Sequence, residues 1–173
     1  MCIRDRANII DEIPNDLSLV KEIYEKCNFR VSEIIQEKES AAYSAYDLKI
    51  NSLTVKFRTS KITPTKTGQF VTLWKRIENG PIAPFNSSDK IDFIIVCCRD
   101  NENFGQFIFP KSELIKKGIF TDKKEGKRAI RVYPSWDIAI NKQAKNTQKW
   151  QLKYFLNLKN EVDCDLIKSL FEV

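Results

Sequence analysis

The sequence predicts a single α/β domain in which one mixed β-sheet is flanked by helices. Segments with the spacing of an amphipathic helix lie near both ends of the chain, and segments that alternate like strands or run through β-branched residues lie between them. The chain has 173 residues, which is the usual size of one domain and is enough to bury roughly two-thirds of the unfolded surface. No repeat or change in composition marks a second domain.

The first part of the chain predicts a helix followed by a hairpin. Residues 1–6 resemble translated sequencing-adapter sequence, so we predict a domain over residues 7–173. Asp16 is a suitable N-cap for a first helix. The apolar residues behind it share one helical face: Leu17, Val20, Ile23, Tyr24 and Cys27. A short helical turn is predicted over residues 32–36, and alternation on both sides of Asn51-Ser52 predicts a β-hairpin over residues 46–57.

The middle of the chain predicts the centre of the sheet. Composition favours a loop over residues 62–68, and an extended or helical segment over residues 70–77 ends at Asn79-Gly80-Pro81. Residues 91–98 form a nearly continuous apolar run with β-branched side chains, which is typical of a central strand. Residues 104–109 follow a turn and are predicted to be its partner strand.

The last part of the chain predicts three helices and a short strand. Residues 112–117 have the start and stop signals of a helix of one to two turns. Residues 129–133 suit a short strand. Residues 141–158 are rich in Gln, Lys, Ala and Leu, which favours a helix, although the alternating apolar residues at 150–156 would also suit a strand. A helix around residues 166–171 closes the domain.

The chain contains no histidine. This excludes general catalysis by histidine, Ser/His and Cys/His nucleophile pairs, and nearly every zinc-site pattern. Five cysteines are present without C-x-x-C spacing. The odd number and the lack of a secretory signal predict reduced thiols and a cytoplasmic protein. No segment approaches the ~20 apolar residues of a transmembrane helix, so we expect no membrane association.

Charge is segregated along the chain, whose formal net charge is +6. Residues 48–77 carry seven basic side chains and no acidic one, and residues 123–159 carry ten basic side chains against two acidic ones. Such segregation predicts a polyanionic partner. A solvated basic surface without a partner and a face for an acidic protein are the alternatives.

Several phrases resemble the MepB family in order and spacing, from about residue 16 to about residue 158. They are EKESA at 37–41, KITPTK at 61–66, GQFVTLWKR at 68–76, NGPI at 79–82, FGQFIFPK at 104–111 and GKRAIRVYP at 126–134. The resemblance implies a restriction-endonuclease-like fold similar to the PD-(D/E)XK nucleases. It also implies nucleic-acid binding, and loss of the nuclease residues in at least some members.

A nuclease site of that kind needs an Asp, and a carboxylate two residues before a Lys on a neighbouring strand, which together hold a divalent metal. Asp47 is the candidate Asp. Lys61 supplies the Lys, but Thr59 stands where the second carboxylate belongs. The predicted hairpin pairs Asp47 with Lys56 instead, and we favour this ion pair.

Glu39, like Glu37, could supply oxygen ligands, but both suit solvent-facing charges at a helix end. We therefore expect no cofactor and no catalysis, with a metal-dependent nuclease using Asp47, Glu39 and Lys61 as the alternative. Gln143 and Gln148 resemble a glutamine found beside the active site of many nucleases of that superfamily, but such spacing is common by chance.

Binding of a nucleic acid requires cations for the phosphates and, for single strands, aromatic faces on which bases stack. All three tryptophans, Trp74, Trp136 and Trp150, lie in or beside basic segments, although core packing is the alternative for each. The predicted binding residues are Lys61, Lys66, Trp74, Lys75, Arg76, Lys127, Arg128, Arg131 and Trp136. We expect RNA or single-stranded DNA to be favoured over duplex, and no obligate protein partner.

Overall fold

The computed structural model describes residues 13–172, and helices and strands follow one another along this whole range. In chain order they are α1 (Asn15–Lys26), β1 (Val31–Gln36), β2 (Tyr46–Ile50), β3 (Leu53–Thr59), β4 (Lys61–Thr63), β5 (Lys66–Thr72), β6 (Trp74–Arg76), β7 (Ile82–Pro84), β8 (Phe93–Asp100), β9 (Asn103–Pro110), α2 (Lys111–Lys116), β10 (Ala129–Val132), α3 (Lys142–Gln151), β11 (Phe155–Asn157) and α4 (Cys164–Phe171). The predicted start at residue 7 and the six residues before it lie outside the described range.

The main sheet has six strands in the order β1-β2-β3-β8-β9-β11. All of its neighbours are antiparallel except β3 and β8, which run parallel. A parallel pair cannot be joined by a tight turn, so a long crossover connects β3 to β8. This crossover contains β4 to β7, which form two smaller sheets: β6 pairs with β7, and β4 and β5 form a three-stranded sheet with the later strand β10. The predicted α/β domain with a mixed sheet and flanking helices is confirmed.

The hairpin of β2 and β3 is formed as predicted. Asn51 takes a φ of +54° in the turn, a left-handed conformation that asparagine tolerates. The register places Asp47 opposite Lys56. Leu48 and Val55 are paired and both buried, so one face of the hairpin contributes to the core.

The central strand β8 is buried on both faces, which explains why its sequence is apolar throughout rather than alternating. One face packs with α1 and α4 and consists of Phe93, Ile95 and Cys97. The other face packs with α2 and the β10-β5-β4 sheet and consists of Ile94, Val96 and Cys98. The predicted helices at 112–117 and 166–171 correspond to α2 and α4.

Four local predictions are wrong. Most of residues 62–68 belong to the paired strands β4 and β5 instead of a loop. Residues 32–36 belong to strand β1 instead of a helical turn, because they pair with β2. The helix predicted to residue 158 ends at Gln151, and the chain continues through a 3-10 turn into β11, which pairs with β9. Asp16 is not the N-cap, which is Pro14; its carboxylate lies 2.8 Å from Arg99 Nη2.

The prediction of reduced thiols is wrong for Cys27 and Cys164, which form a disulfide between the end of α1 and the start of α4. Cys97 and Cys98 are free and buried. Burial raises the pKa of Cys98 to about 12, so its thiol stays protonated at neutral pH. Within residues 13–172, no helix is long and apolar enough to cross a membrane.

Candidate functional site

Four charged side chains cluster where the start of β2 meets β3. Arg58 is 0% exposed, and its guanidinium donates hydrogen bonds to both carboxylate oxygens of Glu37 and to the carbonyl oxygen of Thr72 at 3.2 Å. Lys56 Nζ lies 3.2 Å from Glu37 Oε1 and 2.7 Å from Asp47 Oδ1. The ion pair between Asp47 and Lys56 is therefore confirmed. Glu37 was expected to be a solvent-facing charge at a helix end, but it follows a strand and its side chain is only 14% exposed.

These residues do not fit a divalent metal. A metal held by Asp47 and Glu37 would stand between their carboxylates, where the ammonium of Lys56 already contacts both. A lysine adds a cation where metal binding needs a further oxygen ligand. Within residues 13–172, no three acidic or cysteine side chains converge in a way that could hold a metal ion.

The other two residues of the alternative nuclease site have different partners. Glu39 Oε1 accepts a hydrogen bond from Arg76 Nε at 2.7 Å. Lys61 lies in β4, outside the main sheet, with its Nζ 5.1 Å from the centroid of the Tyr43 ring. Asp47, Glu39 and Lys61 thus each contact a separate partner.

Most of the basic side chains in residues 48–77 are neutralised by carboxylates from elsewhere in the chain. Five of the seven form ion pairs, and they are Lys49, Lys56, Arg58, Lys75 and Arg76. Lys75 Nζ, for example, lies 2.7 and 2.8 Å from the two carboxylate oxygens of Asp89. Lys61 and Lys66 are the two without a carboxylate partner among the described residues.

A groove of about 580 Å³ lies between α3 and the paired strands β5 and β10. Among the described residues, its lining contains no carboxylate and four cations: Lys66, Lys117, Lys127 and Arg131. Strands β5 and β10 are paired neighbours, and each contributes a cation to the lining, Lys66 from β5 and Arg131 from β10. A more open depression shares Lys117 and Trp150 with the groove and adds Lys142. We call these two connected depressions the basic groove.

Backbone contacts hold Arg131 in the basic groove. Its Nη1 donates to the carbonyl oxygens of Thr67 at 3.2 Å and Gly68 at 3.3 Å, and its Nη2 donates to Thr63 Oγ1. Gly68 has a φ of +83°, and a Cβ there would lie 2.7 Å from the Tyr133 ring. Only glycine allows this approach without strain, so the tyrosine that lines the groove rests directly on the backbone.

The three tryptophans differ in position. Trp150 lines the basic groove, with one side against Phe109, 5.4 Å between ring centroids, and with Lys117 Nζ 5.4 Å from its ring centroid. Trp136 is half-buried and packs edge-on against Phe155 at the side of the core. Trp74 carries the Arg76 guanidinium 5.7 Å above its ring. Trp150 is therefore the tryptophan that lines the same groove as Lys66 and Lys127, which have no carboxylate partner among residues 13–172.

Two glutamines of α3 form hydrogen bonds to the backbone of the residues that precede this helix. Gln148 Nε2 donates to the carbonyl oxygens of Pro134 at 3.0 Å and Asp137 at 2.9 Å, and more weakly to that of Tyr133 at 3.4 Å. Gln151 bridges the backbone of β10, donating to the carbonyl of Arg131 at 2.9 Å and accepting from the amide of Tyr133 at 2.9 Å. Gln148, which resembled a nuclease glutamine, holds the loop in place.

Asp137 is the acidic residue of that loop. Burial raises the pKa of its carboxyl, the negative charge of Asp100 raises it further, and a hydrogen bond from the Gly68 amide opposes both. Its carboxylate is not part of the groove lining.

A family model described as MepB-like matches residues 37–157. The chain belongs to the MepB-like family. A solved structure, the crystal structure of MepB, shares 37% sequence identity with a TM-score of 0.75, covering 86% of this chain and 99% of that one. The bacterial homing endonuclease I-Ssp6803I aligns at 14% identity with a TM-score of 0.46, over 79% of this chain and 86% of its own. No curated protein matches.

The residues that match the MepB-like family include the charge cluster, the basic groove and the loop before α3. The disulfide lies outside them, because Cys27 precedes the matched range and Cys164 follows it. The MepB-like match therefore confirms the resemblance. The disulfide between α1 and α4 lies outside the matched residues.

The MepB-like fold brings together some of the predicted binding residues and separates others. Lys66, Lys127 and Arg131 meet in the basic groove. Arg128 pairs with Glu125 at 3.1 Å, and the remaining predicted residues lie outside the groove: Lys61, Trp74, Lys75, Arg76 and Trp136.

Three residues of the basic groove were not predicted from the sequence to bind nucleic acid: Lys117, Lys142 and Trp150. A helical pattern could have found the tryptophan, because the α3 residues that line the groove recur at helical spacing: Gln143, Ala144, Thr147, Trp150 and Gln151. Lys117 follows a different helix, and no local signal connects it to this face.

Proposed function

We propose that this protein binds single-stranded nucleic acid, RNA or DNA, in the basic groove and does not cleave it. One observation carries the proposal: a groove with cations and no carboxylate in its lining also contains the indole of Trp150. Phosphates are bound by Lys and Arg, and sequence-tolerant binding of single strands adds stacking of bases on aromatic rings.

The size of the groove supports a single strand over a duplex. The depression between α3 and the strands β5 and β10 has a volume of about 580 Å³, which is in the range of small-ligand sites, about 300–1,000 Å³. Such a site suits an unpaired base with its phosphate, whereas a double helix would present only its outer backbone. Lys117 is held loosely over Trp150, with its nearest carboxylate oxygen 3.9 Å away on Glu113, so it can turn towards an incoming phosphate.

Within this proposal, Lys75 and Arg76 contribute less than their sequence position suggests. Their segment does lie beside the second basic segment, because the Leu73 amide donates to the carbonyl oxygen of Arg128 at 2.8 Å. However, Asp89 and Glu39 already neutralise the two side chains. A phosphate would have to displace a carboxylate from each of them.

The proposal that the protein does not cleave rests on Lys56, which occupies the space between the carboxylates of Asp47 and Glu37. To test it, labelled single- and double-stranded substrates are incubated with Mg²⁺ or Mn²⁺, and no cleavage is expected. Cleavage that is lost in Asp47→Ala and in Lys61→Ala would overturn this part of the proposal and establish the metal-dependent nuclease instead.

The binding part is tested by fluorescence anisotropy with single-stranded RNA, single-stranded DNA and duplex of one sequence, each titrated at several salt concentrations. We expect tighter binding of the single strands and a linear fall of log affinity with log salt. Equal affinity for the duplex would overturn the preference for single strands. The absence of saturable binding to any of the three would overturn the function.

A further inference from the structure

Two isoleucines in the segment before α3 are exposed to an unusual degree, and one of them, Ile140, lines the basic groove. Ile138 is 81% exposed and Ile140 is 76% exposed, the highest values among the large apolar side chains of residues 13–172, and Ala139 between them is only 5% exposed. The buried alanine anchors the segment, so both isoleucines project from it into solvent. Single exposed apolar residues are ordinary, but two on one anchored segment are not explained by the core.

The segment that carries them is held rigidly. Gln148 hydrogen-bonds to the carbonyl oxygens of Pro134 and Asp137 just before it, and Asn141 just after it caps α3 by accepting a hydrogen bond from the Ala144 amide at 2.8 Å. A side chain presented by a preorganised segment loses little conformational entropy on binding. The two isoleucines therefore form a fixed apolar projection.

The position of this projection indicates which ligand it contacts. Ile140 lines the basic groove together with Lys66, Lys127 and Arg131, and no carboxylate shares that lining. The chemistry that complements both features is a phosphodiester chain with apolar base faces. From this we infer, on the basis of the proposed function, that Ile138 and Ile140 form an apolar wedge that contacts unpaired bases of a strand bound in the groove.

The wedge gives the groove a means to discriminate between single and double strands. Apolar side chains can insert between neighbouring bases, and unstacking a duplex step for this purpose costs a few kcal/mol. In an unpaired strand the bases are already separable and this cost is smaller. The cations then bind the backbone of either form, and the isoleucines favour the form whose bases are accessible.

The test combines a double variant with a modified ligand. Ile138→Ser/Ile140→Ser is compared with wild-type protein in binding to a single-stranded oligonucleotide and to the same oligonucleotide with abasic central positions. We expect the variant to bind the intact strand about tenfold more weakly. The salt slope should not change, because no phosphate contact is lost. Both proteins should bind the abasic strand equally.

Two further variants make the result specific. Ile138→Leu/Ile140→Leu keeps the apolar surface and should retain affinity. Ile35→Ser/Ile77→Ser removes two other isoleucines, 63% and 54% exposed, that do not line the groove, and should have no effect. Thermal unfolding of every variant shows that the fold is retained.

Four outcomes would overturn the inference. Equal affinity of the wild-type protein and the serine variant for the intact strand would exclude the wedge without contradicting the proposed function. An equal loss on intact and abasic strands would assign the effect to the backbone. If the wild-type protein is a dimer and the serine variant is a monomer, the two isoleucines contact a second copy of the chain instead of a nucleic acid. Failure of wild-type protein to bind any strand would overturn the proposed function itself, and the wedge with it.

Discussion

Arg58 has no exposed surface, and its guanidinium donates hydrogen bonds to both carboxylate oxygens of Glu37, at the end of a different strand. The same carboxylate accepts a hydrogen bond from Lys56, which also contacts Asp47. Glu37 thus balances two cations in a largely dry environment. An arginine buried this deeply is tolerated only while its charge is paired, so Glu37 stabilises the buried charge of Arg58.

The first prediction concerns this pair. Glu37→Ala should lower the free energy of unfolding by about 3–5 kcal/mol, because it leaves the charge of Arg58 buried and unpaired. Chemical denaturation of both proteins gives the difference. Glu33→Ala is the matched control, since it removes an exposed carboxylate 3.8 Å from Lys49, and surface pairs of this kind contribute about 0–1 kcal/mol. Equal effects of the two substitutions would show that the buried pair has no special role.

The elements that could be predicted from the sequence are those whose signals are local. The turn at Asn51 and the apolar run of β8 each carry their own pattern, and both were found. Strand β1 was missed because a bulge between Ser32 and Ile35 interrupts its register, with Glu33 at a φ of +51°. A bulge shifts the side chains from one face to the other, so the alternation that identifies a strand is lost.

The site could be predicted only in part, because charge counts along a sequence do not include ion pairs formed across the fold. Lys75 and Arg76 lie in a segment without acids, yet their partners Asp89 and Glu39 are 14 and 37 residues away. Lys66 and Lys127 have no carboxylate partner within residues 13–172, and both line the groove. Which cations stay unpaired depends on tertiary contacts that residue spacing does not contain.

The second prediction tests the basic groove. Lys66→Ala/Lys127→Ala should weaken binding of a single strand at every sequence and flatten the dependence of log affinity on log salt by about 1.4, or about 0.7 for each lost phosphate contact. Anisotropy titrations across salt concentrations give the slope. Lys145→Ala/Lys149→Ala removes the same charge from exposed positions of α3 that do not line the groove. Equal losses in both pairs would mean that only net charge matters.

The third prediction separates two tryptophans. Trp150→Ala should reduce single-strand affinity by about 1–3 kcal/mol, the usual contribution of a base stacked on an aromatic ring. Trp136→Ala should leave affinity unchanged and lower stability by about 3 kcal/mol, because its ring packs against Phe155. Binding and thermal unfolding are measured on both variants. Unchanged affinity of a folded Trp150→Ala protein would exclude stacking on this ring.

The fourth prediction concerns pH. The folded pKa of Asp137 is raised, by burial first and by the charge of Asp100 second, so its ionisation opposes folding. In the unfolded chain the pKa of this carboxyl is about 3.9. As the pH rises from below that pKa to above the raised pKa of the folded protein, the wild-type protein should lose stability, whereas Asp137→Asn should not. Near pH 3 the two proteins should be equally stable, and at pH 7 the variant should have the higher Tm. Asp100→Asn should show a smaller change of the same sign, and a variant less stable than wild type at pH 7 would contradict the prediction.

The fifth prediction concerns the disulfide between Cys27 and Cys164, which are 137 residues apart. Closing a loop of this length restricts the unfolded chain and should stabilise the fold by about 2–5 kcal/mol. The reduced protein should remain folded, because α4 still buries Ile167, Leu170 and Phe171 against the core. Dithiothreitol should therefore lower the Tm of the wild-type protein without unfolding it at room temperature.

The control is the double variant Cys27→Ser/Cys164→Ser, which should have the lower Tm and should no longer respond to the reductant. Cys97 and Cys98 are buried thiols that the reductant leaves unchanged. A wild-type Tm that is the same with and without dithiothreitol would show that the two helices are held together by packing alone.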